Sequence, residues 1–207
     1  MPAHDTLIIL DFDHTLFNTT KLVQAEADYF WKTFDIPEAV FRETREKVKI
    51  CCVVEDVDRF VHLLPHPNKA MLHKELLAII HRIAPSCLFE DVLPFLQEAS
   101  SRSDLLLATH GDPELQEAKI RSSGIPVNIP FAITQTKKSE IIARYSGNYA
   151  HVHFVDDKPD SLKEVKEEHP SVETYLMQRA DDHPYSKTGQ AYNGVDRTVT
   201  TLFDVGL

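Results

Sequence analysis

The stretch Leu7-Ile8-Ile9-Leu10-Asp11-Phe12-Asp13-His14-Thr15-Leu16 decides how this chain is read. A run of large aliphatic residues with no polar alternation describes a strand buried on both faces, as in a parallel sheet covered by helices. The run ends in two carboxylates separated by one residue, with a hydroxyl at Thr15. Alternate side chains of an extended segment leave the backbone on the same side, so Asp11 and Asp13 share a face. Carboxylates held that close repel each other unless a cation or a shared proton relieves them. The pair therefore reads as one wall of a functional site, against the alternative of an acidic turn facing water.

Working outward, the 207 residues suffice for one substantial core with an inserted subdomain. A hydrophobic share of 43% and a charged share of 26% describe an ordinary soluble globular protein. The formal charge of −10, with no basic stripe, argues against nucleic acid as a partner. An anionic substrate would need local positive charge or a metal ion to be held. No apolar run approaches the roughly eighteen residues that span a bilayer, so no membrane partner is expected. The start, Met1-Pro2-Ala3-His4-Asp5, lacks the pattern of a signal peptide. Cys51, Cys52 and Cys87 form no disulfide framework, and an odd count suits a reducing, cytoplasmic setting.

After the first strand, residues 22–34 carry a partly helical apolar stripe that includes Tyr29, Phe30 and Phe34, with Trp31 beside it. These aromatics read as the core of a helical bundle more readily than as the lining of a substrate pocket. Pro37 opens a second helix, residues 53–64 a third, and residues 69–83 a fourth that ends before Pro85. From residue 91 the rhythm becomes strand and helix in alternation. Strands are expected over 104–109, 127–133, 151–157 and 171–177, with helices over 91–100, 112–122, 139–145 and 159–168. Residues 179–196 are polar and turn-rich and read as a surface excursion, followed by a last strand or helix near 199–203. The alternation predicts an α/β protein with a Rossmann-like parallel sheet, flanked by helices and joined by right-handed crossovers.

Three of the strands end in reactive side chains: Asp11 and Asp13, Thr109, and Asp156 and Asp157. In an open parallel sheet, ligands bind outside the carboxyl ends of the strands where strand order reverses, so these residues are expected to converge. The alternative for Asp156-Asp157 is an acidic first turn favouring the next helix dipole. His151 and His153 share a strand face but have no third ligand at zinc spacing, so packing is the better reading. His14, next to Asp13, reads equally as a contact to a leaving group or as an exposed loop residue.

With those residues in place, the chain resembles the haloacid dehalogenase-like hydrolase superfamily. Its four short motifs fall in the family's order. They are Leu7-Ile8-Ile9-Leu10-Asp11-Phe12-Asp13-His14-Thr15, then Thr109, then a lysine heading a helix at Lys138 or Lys137, then Asp156-Asp157. Lys138 matches the helix register slightly better. The resemblance implies an α/β hydrolase core over residues 1–16 and 89–207, with a C1-type helical cap over 17–88. One departure is Thr109-His110-Gly111, which stands where Thr-Asn-Gly is frequent and touches a contact to the phosphoryl group or the cap.

The resemblance also implies roles. Asp11 would be the nucleophile that forms an aspartyl-phosphate, and Asp13 the group that protonates the leaving oxygen and later deprotonates water. A general acid needs a raised pKa, for which neighbouring carboxylates are the expected cause. Thr109, His110 and Lys138 would hold the substrate phosphate. Mg2+ would sit on the Asp11 carboxylate, the Asp13 backbone carbonyl and the Asp156-Asp157 pair. Retention of Asp13 points to phosphoryl chemistry, because dehalogenases of the superfamily lack the second aspartate. A phosphatase acting on a small phosphorylated metabolite is expected, with a phosphomutase or an idle binding module on the same fold as alternatives. Neither the substrate nor the oligomeric state is written in the pattern.

Overall fold

The structure, a computed structural model, describes residues 3–51 and 56–206. Its centre is a six-stranded parallel sheet of β1 (Thr6–Leu10), β2 (Asp104–His110), β3 (Phe131–Thr134), β4 (His151–Asp156), β5 (Glu173–Met177) and β6 (Arg197–Val199). The strand order is β3-β2-β1-β4-β5-β6, so the winding reverses at β1. Side chains of β1 alternate between two cores. Ile8 and Leu10 join a cluster on one face, while Leu7 and Ile9 join Leu106, Ile142 and Phe154 on the other. Burial on both faces is what makes the strand read as a continuous aliphatic run.

Among the described residues, four helices separate β1 from the next helix of the sheet layers: α1 (Thr19–Phe34), α2 (Glu38–Cys51), α3 (Val57–Leu63) and α4 (Lys69–Ile83). Local chemistry sets their ends. Asn18, Asp56 and Asn68 each accept a hydrogen bond from the backbone N–H three residues on, which satisfies a donor left open in the first turn. The apolar faces meet in an aromatic cluster, with the rings of Phe30 and Phe41 5.2 Å apart and those of Phe41 and Phe60 5.0 Å apart. The bundle-core reading of this region thus holds for Phe30, while Trp31 stands exposed. Then come α5 (Val92–Ala99), α6 (Pro113–Ser122) after β2, α7 (Lys138–Tyr145) after β3, and α8 (Pro159–Glu168) after β4.

Two expectations are corrected. The strand expected over 127–133 is confined to Phe131–Thr134, because Ile129 turns back to the Pro126 carbonyl and Pro130 carries no N–H for a ladder. The segment 179–196 is not merely a surface excursion: Arg179, Asp182 and Ser186 are buried. Arg179 donates to the Thr15 carbonyl and pairs with Asp91, which ties this segment to the end of β1 and the start of α5. Cys87 is buried; Cys52 and the Cys51 side chain fall outside what is described. No described helix is long and apolar enough to cross a membrane.

Candidate active site

Strand register assembles the site. Leu10 lies between Leu107 of β2 and Val155 of β4, so the residues just beyond these positions share one edge of the sheet. Asp11 donates its backbone N–H to the Val155 carbonyl at 2.9 Å and thereby sits beside Asp156. One carboxylate oxygen from each of Asp11, Asp156 and Asp157 lies within 4.8 Å of the others, and all three residues are buried.

The lysine heading α7 closes this cluster. Lys138 Nζ donates to Asp11 Oδ1 at 2.5 Å and to Asp156 Oδ2 at 2.7 Å, and it is buried with them. Lys137, half exposed, turns instead to Glu168 at 3.1 Å and Glu164 at 3.7 Å. The backbone decides between the two: Lys137 is the last extended residue before the helix, and Lys138 is its first residue. Asp156 is further held by the Lys158 N–H and Ser161 Oγ, both at 2.8 Å.

Electrostatics follow from these contacts. Burial raises the pKa of Asp11, and repulsion from Asp156 adds to it, with Lys138 only partly offsetting them. Burial, together with the charges of Asp11 and Asp156, raises Asp157 well above its ordinary value. Burial would lower Lys138, but the two carboxylates outweigh it and hold the ammonium charged. Lys138 contacts the carboxylates of Asp11 and Asp156, so Asp157 adds a third carboxylate that this ammonium does not touch. Among the described residues, both oxygens of Asp157 are buried and accept no hydrogen bond, and the hydroxyls of Thr15 and Thr109 are likewise unpartnered. Buried polar atoms are normally satisfied, so this group of orphans is the signature of a bound species. An all-oxygen acidic donor set suits a hard cation such as Mg2+.

Asp13 departs from expectation. It does not share the environment of Asp11; its carboxylate is gripped by Lys119 Nζ at 2.6 and 2.8 Å, Thr19 Oγ1 at 2.5 Å and Gln116 Nε2 at 2.7 Å. Burial works to raise its pKa, but the Lys119 charge and these three donors prevail and hold it well below the usual range. The neighbour that matters is a cation rather than another carboxylate. Gln116 also donates to the His110 carbonyl at 3.0 Å, and a Cβ at Gly111 would come within 2.5 Å of its amide nitrogen. Close approach of that amide is the reason for glycine there.

A cavity of about 230 Å³ opens beside Asp13, between the helices of residues 19–83 and the sheet edge. Asp13, His14, His110 and Lys119 line it, with Leu22, Phe60, Leu76 and Ile80 forming an apolar wall. His14 is neither exposed nor loose: its Nδ1 lies 2.8 Å from Asp182 Oδ1. His110 is half-buried, and burial plus the charges of Lys158 and Lys138 lower its pKa. His153 packs against Tyr175 and Glu173, away from the cluster. Asp160 is exposed.

Lys119, Gln116, Thr19, Asp182 and Tyr185, which also lines the cavity, carry no signal in the sequence. Gln116 and Lys119 are three apart on α6 and so share a face. Nothing local marks that face as the one turned toward Asp13.

The fold is that of the haloacid dehalogenase-like hydrolases. Among solved structures, a haloacid dehalogenase-like hydrolase from Burkholderia xenovorans LB400 matches at 20% identity and TM-score 0.78, covering 96% of this chain and 95% of its own. A HAD-hydrolase from Bacillus subtilis bound to magnesium matches at 14% identity and TM-score 0.68, over 97% and 96%. The L-2-haloacid dehalogenase from Xanthobacter autotrophicus matches at 14% identity and TM-score 0.66, over 96% and 95%. No protein-family model and no curated protein matches the chain.

Proposed function

We propose that this protein is a Mg2+-dependent phosphatase that hydrolyses a small phosphorylated metabolite through an aspartyl-phosphate on Asp11. The observation that carries the reading is the buried cluster of Asp11, Asp156 and Asp157 on Lys138, with Asp157 and Thr109 unpartnered beside it. Asp11, the Asp13 carbonyl, Asp156 and Asp157 would hold Mg2+, which would supply charge neutralisation for the phosphoryl oxygens. Helices α1–α4, within residues 17–88, serve as the cap over the cavity.

An Asp11 carboxylate oxygen attacks phosphorus in line, and the ester P–O bond breaks. Lys138 favours the ionised form of Asp11 and offsets charge on the phosphoryl group, and the Thr109 hydroxyl donates to one of its oxygens. Water then attacks phosphorus, its proton passing to the Asp13 carboxylate, and inorganic phosphate leaves with Asp11 restored. Asp13 as found is ionised and suits this second step. For the first, the incoming phosphate ester competes for Lys119, and an Asp13 freed of that cation can hold the proton that the leaving oxygen needs.

A dehalogenase fold-mate raises the rival reading of halide displacement. Halide leaves without a proton, so that chemistry has no use for a second aspartate gripped by three donors. The test is release of phosphate from p-nitrophenyl phosphate and a panel of phosphate esters, and of chloride from 2-chloropropionate, with wild type and Asp11→Asn. Phosphate release with Mg2+ that vanishes in the variant supports the proposal. Chloride release alone, or full phosphatase activity in Asp11→Asn, overturns it.

A further inference from the structure

His14 stands beside the proton-carrying aspartate, yet the steps above do not use it. Its backbone lies in the left-handed region at φ 59°, held by donation from its N–H to the Phe17 carbonyl at 2.8 Å. Glycine would adopt that conformation without strain, so the imidazole is kept at a conformational cost. The ring is aimed from far along the chain. Asp182, buried and 168 residues away, accepts from His14 Nδ1 at 2.8 Å and from Thr20 Oγ1 at 2.6 Å with the same oxygen. Tyr185 meets the imidazole edge-on at 5.6 Å between centroids, and the Lys158 ammonium sits 4.6 Å over the Tyr185 ring. The segment corrected above from surface excursion to buried strap thus builds one side of the cavity.

With Nδ1 engaged, Nε2 is the side-chain polar atom of His14 without a protein partner among the described residues, and the ring lines the cavity. A carboxylate acceptor on Nδ1 fixes the ring tautomer and orientation, as an aspartate behind a functional histidine does. Any group attached to the ester oxygen next to Asp13 must enter this cavity. A second cavity of about 300 Å³ shares His14, Thr19 and Tyr185 with it, so the space open to a leaving group continues past the imidazole. A hydroxyl both donates and accepts, so it satisfies Nε2 whether or not that nitrogen carries a proton. An alkyl group would leave Nε2 unpaired.

Resting on the phosphatase reading, we propose that His14 is a specificity-determining residue that hydrogen-bonds a hydroxyl on the leaving alcohol. Asp182 is the positioning residue that aims it. The substrates would accordingly be phosphate monoesters of alcohols that carry a further hydroxyl.

The test compares 2-hydroxyethyl phosphate, ethyl phosphate and carboxymethyl phosphate by kcat/KM for phosphate release with Mg2+, in wild type, His14→Phe and Asp182→Asn. Wild type should favour the hydroxyethyl over the ethyl ester about tenfold, the worth of one well-made hydrogen bond. That ratio should fall toward one in both variants, since phenylalanine lacks the nitrogen and an amide no longer dictates the tautomer. Nitrogen-15 spectra of the imidazole should show the proton on Nδ1 in wild type and a redistribution in Asp182→Asn, a signature that a purely structural role would not move. A wild-type ratio near one, a ratio unmoved in His14→Phe, or a preference for the carboxymethyl ester overturns the assignment while leaving the phosphatase reading standing. Phosphate release from none of these esters, with release from p-nitrophenyl phosphate, overturns the assignment alone; release from neither removes both.

Discussion

Replacing Lys138 by methionine keeps the length of the side chain and removes its charge. The ammonium makes hydrogen bonds of 2.5 Å to Asp11 and 2.7 Å to Asp156, all three groups being buried, so its loss strands two carboxylates out of water. Removing one partner of a buried ion pair costs about 3–5 kcal/mol, because the remaining charge is uncompensated. For a chain of this size each kcal/mol moves the melting midpoint by about 2–4 °C, so Lys138→Met should melt about 6–20 °C below wild type in EDTA. Lys137→Met, which removes an exposed ammonium facing Glu164 and Glu168, should leave the midpoint where it was. Adding Asp11→Asn to Lys138→Met should recover part of the loss, since one stranded charge becomes a neutral amide. Thermal scans of the four proteins in EDTA are sufficient. Equal melting of the Lys137 and Lys138 variants, or no recovery in the double variant, would refute the assignment of Lys138 as the buried counter-ion.

Three further outcomes follow from the same site. Asp157→Asn removes a buried carboxylate that accepts no hydrogen bond, so it should stabilise the metal-free protein by about 0.5–2 kcal/mol in urea titrations and abolish the rise in midpoint caused by Mg2+. Asp11 and Asp157 have folded-state pKa values raised above the unfolded value of about 3.9, so the folded state binds more protons. Metal-free stability should therefore fall as pH rises from about 4 through those raised values, and the stabilisation by Mg2+ should grow across the same window; a flat dependence in EDTA would contradict the burial argument. Lys119→Met frees Asp13 of the cation that keeps its pKa low, so in single-turnover hydrolysis of the aspartyl-phosphate, the step in which Asp13 accepts the proton of water, the acid limb should move to higher pH, and an unmoved limb would take Asp13 out of the proton-accepting role.

Much of this architecture can be read locally. The aliphatic run before Asp11 announces a doubly covered strand because neighbouring residues on a strand face opposite sides, and both sides here are core. Helix ends at Asn18, Asn68 and Asp112 follow from side chains that cap the N–H three residues ahead. The late start of β3 was hidden because Val127 and Ile129 look like strand residues, and only the turn back to Pro126 shows otherwise.

The sequence by itself determined which residues end the strands, and hence that Asp11, Thr109, Asp156 and Asp157 meet at one edge, because parallel register converts order along the chain into neighbourhood in space. Only the tertiary structure decided which lysine enters the cluster, since one residue of helix phase separates a buried counter-ion from a solvated one. It alone revealed that Asp13 is held by Lys119 and Gln116, and that Asp182 reaches back across the fold to orient His14. Those contacts close over 103 residues or more, and no local periodicity encodes a pairing that exists only when separate elements pack against one another.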